Sequence, residues 1–165
     1  MAENNNDGEQ GPDVRMLADE QLPIAAFPAE RDQDFRVHFD RDTHEAIHRH
    51  AAEDTEVEIC GVLVGRLERD DDGPFVSIQN LIRCDAADSR MAEVTFTHEA
   101  WATINEQMDN EFSDLSIVGW YHSHPDFGIF LSGQDKFIHE HFFSAPGQVA
   151  HVVDPVRDIE GVFRW

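Results

Sequence analysis

The sequence is poor in positive charge. Only 12 lysines and arginines stand against 34 aspartates and glutamates in 165 residues, which gives a formal net charge of -22, and Lys136 is the single lysine. A surface of this sign repels nucleic-acid phosphates and anionic lipid headgroups, so the composition argues against a DNA, RNA or membrane partner. An acid-rich, lysine-poor chain fits a salt-adapted host, and a GC-rich genome that favours arginine is the alternative explanation.

Cysteine and long apolar runs are also scarce. Cys60 and Cys84 are the only cysteines, and without a CxxC spacing they do not make a zinc ribbon. The sequence contains no signal peptide and no apolar stretch long enough to span a bilayer. We therefore expect a reduced, cytoplasmic protein with free thiols, and a length of 165 residues predicts one domain with a substantial core.

The pattern along the chain divides it into a tail and a domain. Residues 1–30 read as a disordered or strap-like N-terminal tail, since the first residues lack apolar periodicity and the apolar stretch Leu22–Pro28 is broken by two prolines. That stretch is either a strap along the domain surface or a solvated linker. Residues 31–165 alternate strand and helix patterns, beginning with a strand over Phe35–Phe39 and a helix from Arg41 to Ala52. On this helix we interpret three histidines as partly exposed residues rather than ligands: His44, His48 and His50.

Two nearly continuous apolar runs indicate strands buried on both faces. The first is Ile59–Gly65, and its glycines Gly61 and Gly65 suggest a close approach of neighbouring backbone. The second is Leu115–Trp120. The remaining pattern predicts further strands near 74–82, 93–97, 148–154 and 159–165, and helices near 98–110 and 133–143.

A possible metal site follows the second of these strands. His122 and His124 are two residues apart, so in a strand their imidazoles share one face, and Pro125 then ends the strand. Two neutral imidazoles and a carboxylate, here Asp135, are the ligand set of a catalytic zinc with one open position. The alternatives are an ordinary surface or hydrogen-bonded histidine pair, and for Ser132 with Asp135 a helix cap. The cap and the ligand set are compatible, because a cap would orient Asp135.

With Glu58 upstream, this spacing resembles the JAMM motif of the MPN+ (JAB1/MPN/Mov34) metalloproteases. The likeness extends to the segment Glu58–Gly65, to Ile117–Pro125 with Leu131–Asp135, and to Val152–Pro155, and it covers about residues 35–165. The resemblance implies an α/β fold, a single cytidine-deaminase-like MPN domain with a curved mixed β-sheet flanked by helices. Because the C-terminal extension of the eukaryotic assemblies is missing, we expect a minimal, prokaryotic member.

The resemblance also implies roles for single residues. His122, His124 and Asp135 would bind Zn²⁺, Glu58 would act as the general base, and Ser132 would donate a hydrogen bond to the tetrahedral oxyanion. A third imidazole would fill the open position, so His139 and His141 are not expected to be ligands. Family members cleave after the Gly-Gly tail of ubiquitin or ubiquitin-like proteins, which makes such a protein or its conjugates the expected partner.

A substrate clamp is expected between Cys84 and Val94, where family deubiquitinases carry an insertion that holds substrate tails. Its acidic candidates for contacting a basic tail are Asp85, Asp88 and Glu93; the alternative is an ordinary loop. Two other functions compete with the zinc isopeptidase: a JAMM peptidase acting on small peptides or sulfur-carrier proteins, and a non-catalytic MPN scaffold. No motif specifies the modifier or the oligomeric state.

Overall fold

A mixed seven-stranded β-sheet forms the centre of the structure, a computed structural model that describes residues 24–25, 35–84 and 96–164. The strands in chain order are β1 (Ile24–Ala25), β2 (Arg36–Phe39), β3 (Cys60–Asp70), β4 (Gly73–Arg83), β5 (Ser116–Ser123), β6 (Val149–Asp154) and β7 (Ile159–Arg164). Within the described ranges three helices accompany the sheet, namely α1 (Arg41–Glu53), α2 (His98–Glu111) and α3 (Gly133–Phe142).

The strand order is β1-β7-β6-β5-β3-β4-β2. The pairs β5–β6 and β2–β4 are parallel and the others are antiparallel, so the sheet is mixed as the sequence resemblance implied. The centre of the sheet is β5, which lies between β3 and β6, and this explains why those three strands have the most continuous apolar sequences.

Two hydrophobic clusters cover the two faces of the sheet. On the first face Ile47 and Ala51 of α1 pack against side chains such as Tyr121 and Val153. On the second face Ile104 of α2 and Ile138 of α3 pack with a larger set that includes Val62, Trp120, Phe143, Ala150 and Val152. Because neighbouring residues of a strand point to opposite faces, Tyr121 belongs to the first face, and Trp120 and His122 belong to the second.

The glycines of β3 mark points of close approach, as predicted. A Cβ on Gly65 would lie 1.8 Å from the carbonyl oxygen of Ser77. A Cβ on Gly61 would lie 2.5 Å from the carbonyl oxygen of Ile82 and equally close to the ring of Tyr121, its neighbour in β5. Tyr121 is fully buried, so the missing side chain of Gly61 makes room for it.

The observed elements match the predicted ones to within a few residues, with some differences. The strand β3 begins only at Cys60, and of the stretch near 93–97 the described residues Phe96 and Thr97 are not in a strand. His50 corrects our interpretation of the α1 histidines, because it is buried and its Nδ1 lies 2.7 Å from the hydroxyl of Tyr121. In the tail, Ile24–Ala25 pair with β7 antiparallel. Among the described residues, every helix is too short or too polar to cross a membrane.

Candidate metal centre

Three buried side chains, His122, His124 and Asp135, converge at the end of β5. The two imidazole Nε2 atoms are 3.0 Å apart, and each lies 3.4 Å from one oxygen of the Asp135 carboxylate. One potential ligand atom of each residue lies within 4.8 Å of the others, which makes the trio a group that could hold a metal ion. The sequence predicted this set, and the fold brings its members together.

The size of this triangle fits a tetrahedral zinc ion. Zinc binds imidazole nitrogen and carboxylate oxygen at about 2.0–2.2 Å, so two of its ligand atoms lie roughly 3.3 Å apart. The three separations in the structure, 3.0 Å between the His122 and His124 nitrogens and 3.4 Å from each to the Asp135 oxygens, bracket that value. The chemistry of the donor set suits zinc, and its spacing is close to that of a tetrahedral site.

The local sequence orients each ligand. His122 is held in β5 between Cys60 of β3 and Val152 of β6, and its ring stacks on that of Trp120 at 4.3 Å. Past the strand, the N–H of His124 donates to the carbonyl of Val153 at 2.8 Å. The Nδ1 of His124 lies 3.3 Å from the carbonyl oxygen of Gly128. A carbonyl only accepts, so this contact places a proton on Nδ1 and leaves Nε2, which faces His122 and Asp135, as the nitrogen that can bind a metal ion.

Asp135 is oriented by the start of α3. Ser132 is the N-cap: its hydroxyl oxygen accepts from the N–H of Asp135 at 3.1 Å, and an Asp135 carboxylate oxygen accepts from the N–H of Ser132 at 2.7 Å. This is a reciprocal capping box with aspartate at N3. The cap predicted as one alternative for Ser132 and Asp135 is therefore confirmed, and it directs the Asp135 carboxylate towards the two imidazoles.

The charges inside the trio reinforce each other. Burial raises the pKa of the Asp135 carboxyl, but hydrogen bonds with His122 and His124 outweigh burial and hold that pKa far below its usual range. Burial lowers the pKa of His124, yet the hydrogen bond and charge of Asp135, with a contribution from Glu58, leave it raised. Asp135 is therefore an ionised, buried carboxylate, which attracts positive charge into this space.

Glu58 reaches the same place from the segment that leads into β3. Its carboxylate Oε1 lies 3.8 Å from Nε2 of His124, and its side chain remains 37% exposed, so it stands at the rim of the trio with access to solvent. Glu58 precedes β3, and Ser123 fastens this end of β3 to β5. The Ser123 hydroxyl accepts from the N–H of Ile59 at 3.0 Å, and the N–H of Ser123 donates to the carbonyl of Ile59 at 2.9 Å.

Sequence reasoning missed Asp154, which organises the loop after the histidines. This fully buried carboxylate accepts from four backbone N–H groups at 2.8–3.1 Å, those of Asp126, Gly128, Val156 and Arg157. Burial raises its pKa, but these hydrogen bonds outweigh burial and lower it. Asp154 thereby holds the residue whose carbonyl orients His124. The Asp-Pro step after an apolar strand was the available signal.

His139 occupies a different position from the ligands. It is buried, and its Nδ1 accepts from the indole N–H of Trp120 at 3.1 Å. Burial, followed by the charge of His122, lowers its pKa to about 4. His139 is thus a neutral acceptor beneath the ring that stacks on His122. His141 is exposed, with its Nδ1 2.8 Å from the carbonyl of Phe137.

The predicted clamp lies largely outside the described residues. Asp85, Asp88 and Glu93 belong to the stretch 85–95, of which the structure gives no description. Its first residue, Cys84, is described: the N–H of Cys84 donates to the carbonyl of Cys60 at 3.0 Å. The segment therefore starts beside Cys60, two residues after Glu58.

Comparison with known proteins agrees with this arrangement. Residues 34–145 match the family described as JAB1/Mov34/MPN/PAD-1 ubiquitin protease, and the chain belongs to this family. COP9 signalosome complex subunit 5 of Caenorhabditis elegans is 32% identical over 111 residues, 66% of this chain and 29% of that protein. Its Candida albicans counterpart is 32% identical over 67% of this chain and 19% of that protein. The chain thus spans less than a third of the length of either relative.

Two further similarities bear on function and fold. Ubiquitin carboxyl-terminal hydrolase RPN11 of Saccharomyces cerevisiae is 25% identical over 114 residues, 68% of this chain and 36% of that protein. The solution structure of protein DSY2949 from Desulfitobacterium hafniense superposes with a TM-score of 0.55 at 20% identity, covering 78% of this chain and 83% of that one. The structural likeness supports the α/β MPN-type fold, and the sequence matches confirm the family that the motif predicted.

Proposed function

We propose that the protein is a zinc-dependent isopeptidase or peptidase that cleaves after the C-terminal Gly-Gly-type tail of ubiquitin or a ubiquitin-like protein. The proposal rests on one observation: Glu58, from the segment before β3, lies beside the trio formed at the end of β5 and the start of α3. The trio His122, His124 and Asp135 presents a zinc-type donor set, and the Glu58 carboxylate stands 3.8 Å from His124 at its solvent side. Family membership supports a hydrolytic role for this arrangement.

Each residue has a definite task in the proposed reaction. Zinc bound by the trio would supply Lewis-acid chemistry, lowering the pKa of water and polarising the scissile carbonyl. The Glu58 carboxylate takes a proton from the attacking water and passes it to the leaving amine. The Ser132 hydroxyl oxygen already accepts from the N–H of Asp135, so its own proton is available to donate to the oxyanion.

The surroundings of the trio suit a narrow, extended substrate. One aromatic side chain beside it, Phe130, is 43% exposed. The ring of Phe130 lies 4.5 Å from that of His124, so it borders the metal centre directly. Glycines at the end of a tail would pass this ring without side-chain clashes. The upstream part of the tail would be held by the Cys84–Val94 segment, with Asp85, Asp88 and Glu93 facing basic residues.

Compartment and partners follow from the same proposal. Cys60 and Cys84 are both buried and form no disulfide, in accordance with action in the reducing cytoplasm. The net charge of -22 favours a modifier with a basic tail, and electrostatic attraction to that tail weakens as salt is added.

The test is cleavage of ubiquitin-like fusions that differ only in their tails. We expect fast cleavage after Arg-x-Gly-Gly-type tails, slower cleavage without the arginine, and none when the last glycine is replaced by a bulky residue. Glu58→Gln should keep its metal and lose turnover by at least about 10²-fold, because only the base is removed. The matched control is Glu56→Gln, which changes an exposed glutamate two residues earlier and should be as active as the wild type.

Three results would contradict the proposal. Equal cleavage of every tail and of short peptides would favour a general peptidase. Normal rates in Glu58→Gln would show that this carboxylate is a surface charge. Absence of cleavage by a zinc-loaded, folded protein would favour the non-catalytic scaffold.

A further inference from the structure

A second group of histidines surrounds a single carboxylate on the first face of the sheet. His44 and His48 are one turn apart on α1, so their side chains are neighbours. The Nε2 of His44 lies 2.9 Å from both oxygens of Glu160 in β7, and the Nε2 of His48 lies 3.1 Å from one of them. His151 of β6 approaches the same oxygen with its Nε2 at 2.7 Å.

This group is separate from the candidate metal centre. His151 pairs with Tyr121 across β5 and β6, and it lies between Ala150 and Val152, which pack on the second face. By strand alternation His151 points to the first face, where α1 packs, whereas His122 points to the second. The sheet therefore lies between the two groups, and an ion in one is not a neighbour of the other.

The carboxylate at the centre is ionised. Burial raises the pKa of Glu160, but hydrogen bonds with His151, His48 and His44 outweigh burial and bring that pKa well below its usual range. An ionised carboxylate only accepts hydrogen bonds. In the metal-free protein, each imidazole nitrogen that contacts Glu160 therefore carries a proton. Glu160 is thus an ionised carboxylate surrounded by three imidazoles.

We propose that His44, His48 and Glu160 form a second metal site, which takes a divalent first-row transition ion such as Zn²⁺ or Ni²⁺. One donor atom of each lies within 4.8 Å of the others, and two imidazoles with a carboxylate are the donors such ions prefer. The three side chains are 23%, 29% and 19% exposed, so an ion can reach them from solvent and water can complete its coordination.

His151 has a positioning role in this site. It is completely buried, and burial lowers its pKa, so its ring is neutral. Its Nε2 donates to Glu160, and its buried Nδ1 has no hydrogen-bond partner within the described part of the chain. An imidazole N–H that orients a ligating carboxylate is a common support of metal sites. His151 thus fixes Glu160 and is not itself a ligand.

An ion at this site would join α1 to β7. His48 and Glu160 are 112 residues apart in the chain, and their contact spans from the first helix to the last strand. A ligand that binds only the folded state stabilises it by mass action. At a concentration of about 100 times Kd, this effect should raise the Tm of a protein of this size by about 5–10 °C.

The experiment uses the full chain with the first centre removed. In a His122→Ala/His124→Ala background, stripped with chelator, ZnCl₂ and NiCl₂ are titrated while heat of binding and Tm are followed. We expect one equivalent of metal in this background and two in the wild type. Adding His48→Ala should abolish the remaining equivalent and the Tm shift. Adding His98→Ala, which removes an exposed imidazole on α2, should leave both.

Because His48→Ala removes packing, Glu160→Gln serves as a second variant that keeps the side chain's size. It should lose the metal-induced Tm shift while remaining folded by circular dichroism. The proposal is overturned if the His122→Ala/His124→Ala background binds no equivalent, or if it keeps one when either Glu160→Gln or His48→Ala is added. These measurements do not involve cleavage. A negative result would therefore overturn the second metal site without bearing on the proposed function.

Discussion

Ser123 and Ile59 exchange two hydrogen bonds. The Ser123 hydroxyl accepts from the N–H of Ile59 at 3.0 Å, and the backbone N–H of Ser123 donates to the carbonyl of Ile59. Ser123 stands between the two histidines of the candidate metal centre, and Ile59 follows Glu58. The residue separating the ligands therefore also attaches the proposed base to them.

We predict that Ser123→Ala lowers kcat more than it raises KM. The buried N–H of Ile59 loses its acceptor, which should cost about 1–3 kcal/mol of stability. Looser placement of Glu58 should reduce kcat by about 10- to 100-fold. Metal content should remain one equivalent at the first centre. Steady-state kinetics with metal analysis checks this, and Ser144→Ala, at an exposed serine, is the control. Equal kcat in both variants would show that Ser123 does not position the base.

The two roles of Ser132, capping α3 and donating to the oxyanion, can be distinguished by comparison with the capping residue of α2. Ser132→Ala should lose about 1 kcal/mol of stability from the cap and about 10²–10³-fold in kcat. Thr97 caps α2 in the same manner, accepting from the N–H of Ala100 at 3.1 Å. Thr97→Ala should therefore lose similar stability and keep its activity, as measured by urea unfolding and kinetics. If both variants lose the same modest activity, the role of Ser132 is the cap alone.

Asp154→Asn should weaken metal binding from a distance. The amide replaces one acceptor oxygen by a donor, which faces backbone N–H groups that need an acceptor. We expect a loss of at least about 2 kcal/mol of stability. The loop carrying Gly128 should loosen, and metal affinity should fall about 10- to 100-fold. Asp158→Asn, at an exposed residue with φ 54°, is the control. Unchanged zinc affinity in a folded Asp154→Asn protein would show that Asp154 does not support metal binding through the loop.

The metal-free protein should lose stability on acidification between about pH 6.5 and 4, in part through His50. Burial, with the charge of Arg83, lowers the pKa of His50 from 6.5 to about 4. Between these values the unfolded chain binds a proton at His50 that the folded chain does not, so stability rises with pH across this window and levels off above it. The free energy of unfolding is measured by urea unfolding across this pH range, with chelator, for the wild type and His50→Asn. It should depend less steeply on pH in the variant. Identical slopes would show that His50 is protonated equally in both states.

Much of the fold could be predicted from the sequence. Continuous apolar runs such as Ile59–Gly65 indicated strands buried on both faces, and periodic apolar positions indicated the helices, because burial of whole faces leaves a regular pattern. The set of candidate metal ligands was also predictable: His122 and His124 are two residues apart in a strand, and Ser132 with Asp135 has the spacing of a helix cap. Local geometry determines these arrangements, so they can be read from neighbouring residues.

Other contacts were decided only by the order of strands in the sheet. His50 reads as an exposed helix residue, yet α1 packs so that it reaches Tyr121, 71 positions later. His48 and Glu160 carry no shared motif, and they meet because α1 covers the face where β6 and β7 lie together. Neither the composition nor the spacing of residues along the chain predicts such contacts. Such contacts depend on long-range packing. This is why the cluster of His122, His124 and Asp135 could be predicted and the second group of histidines could not.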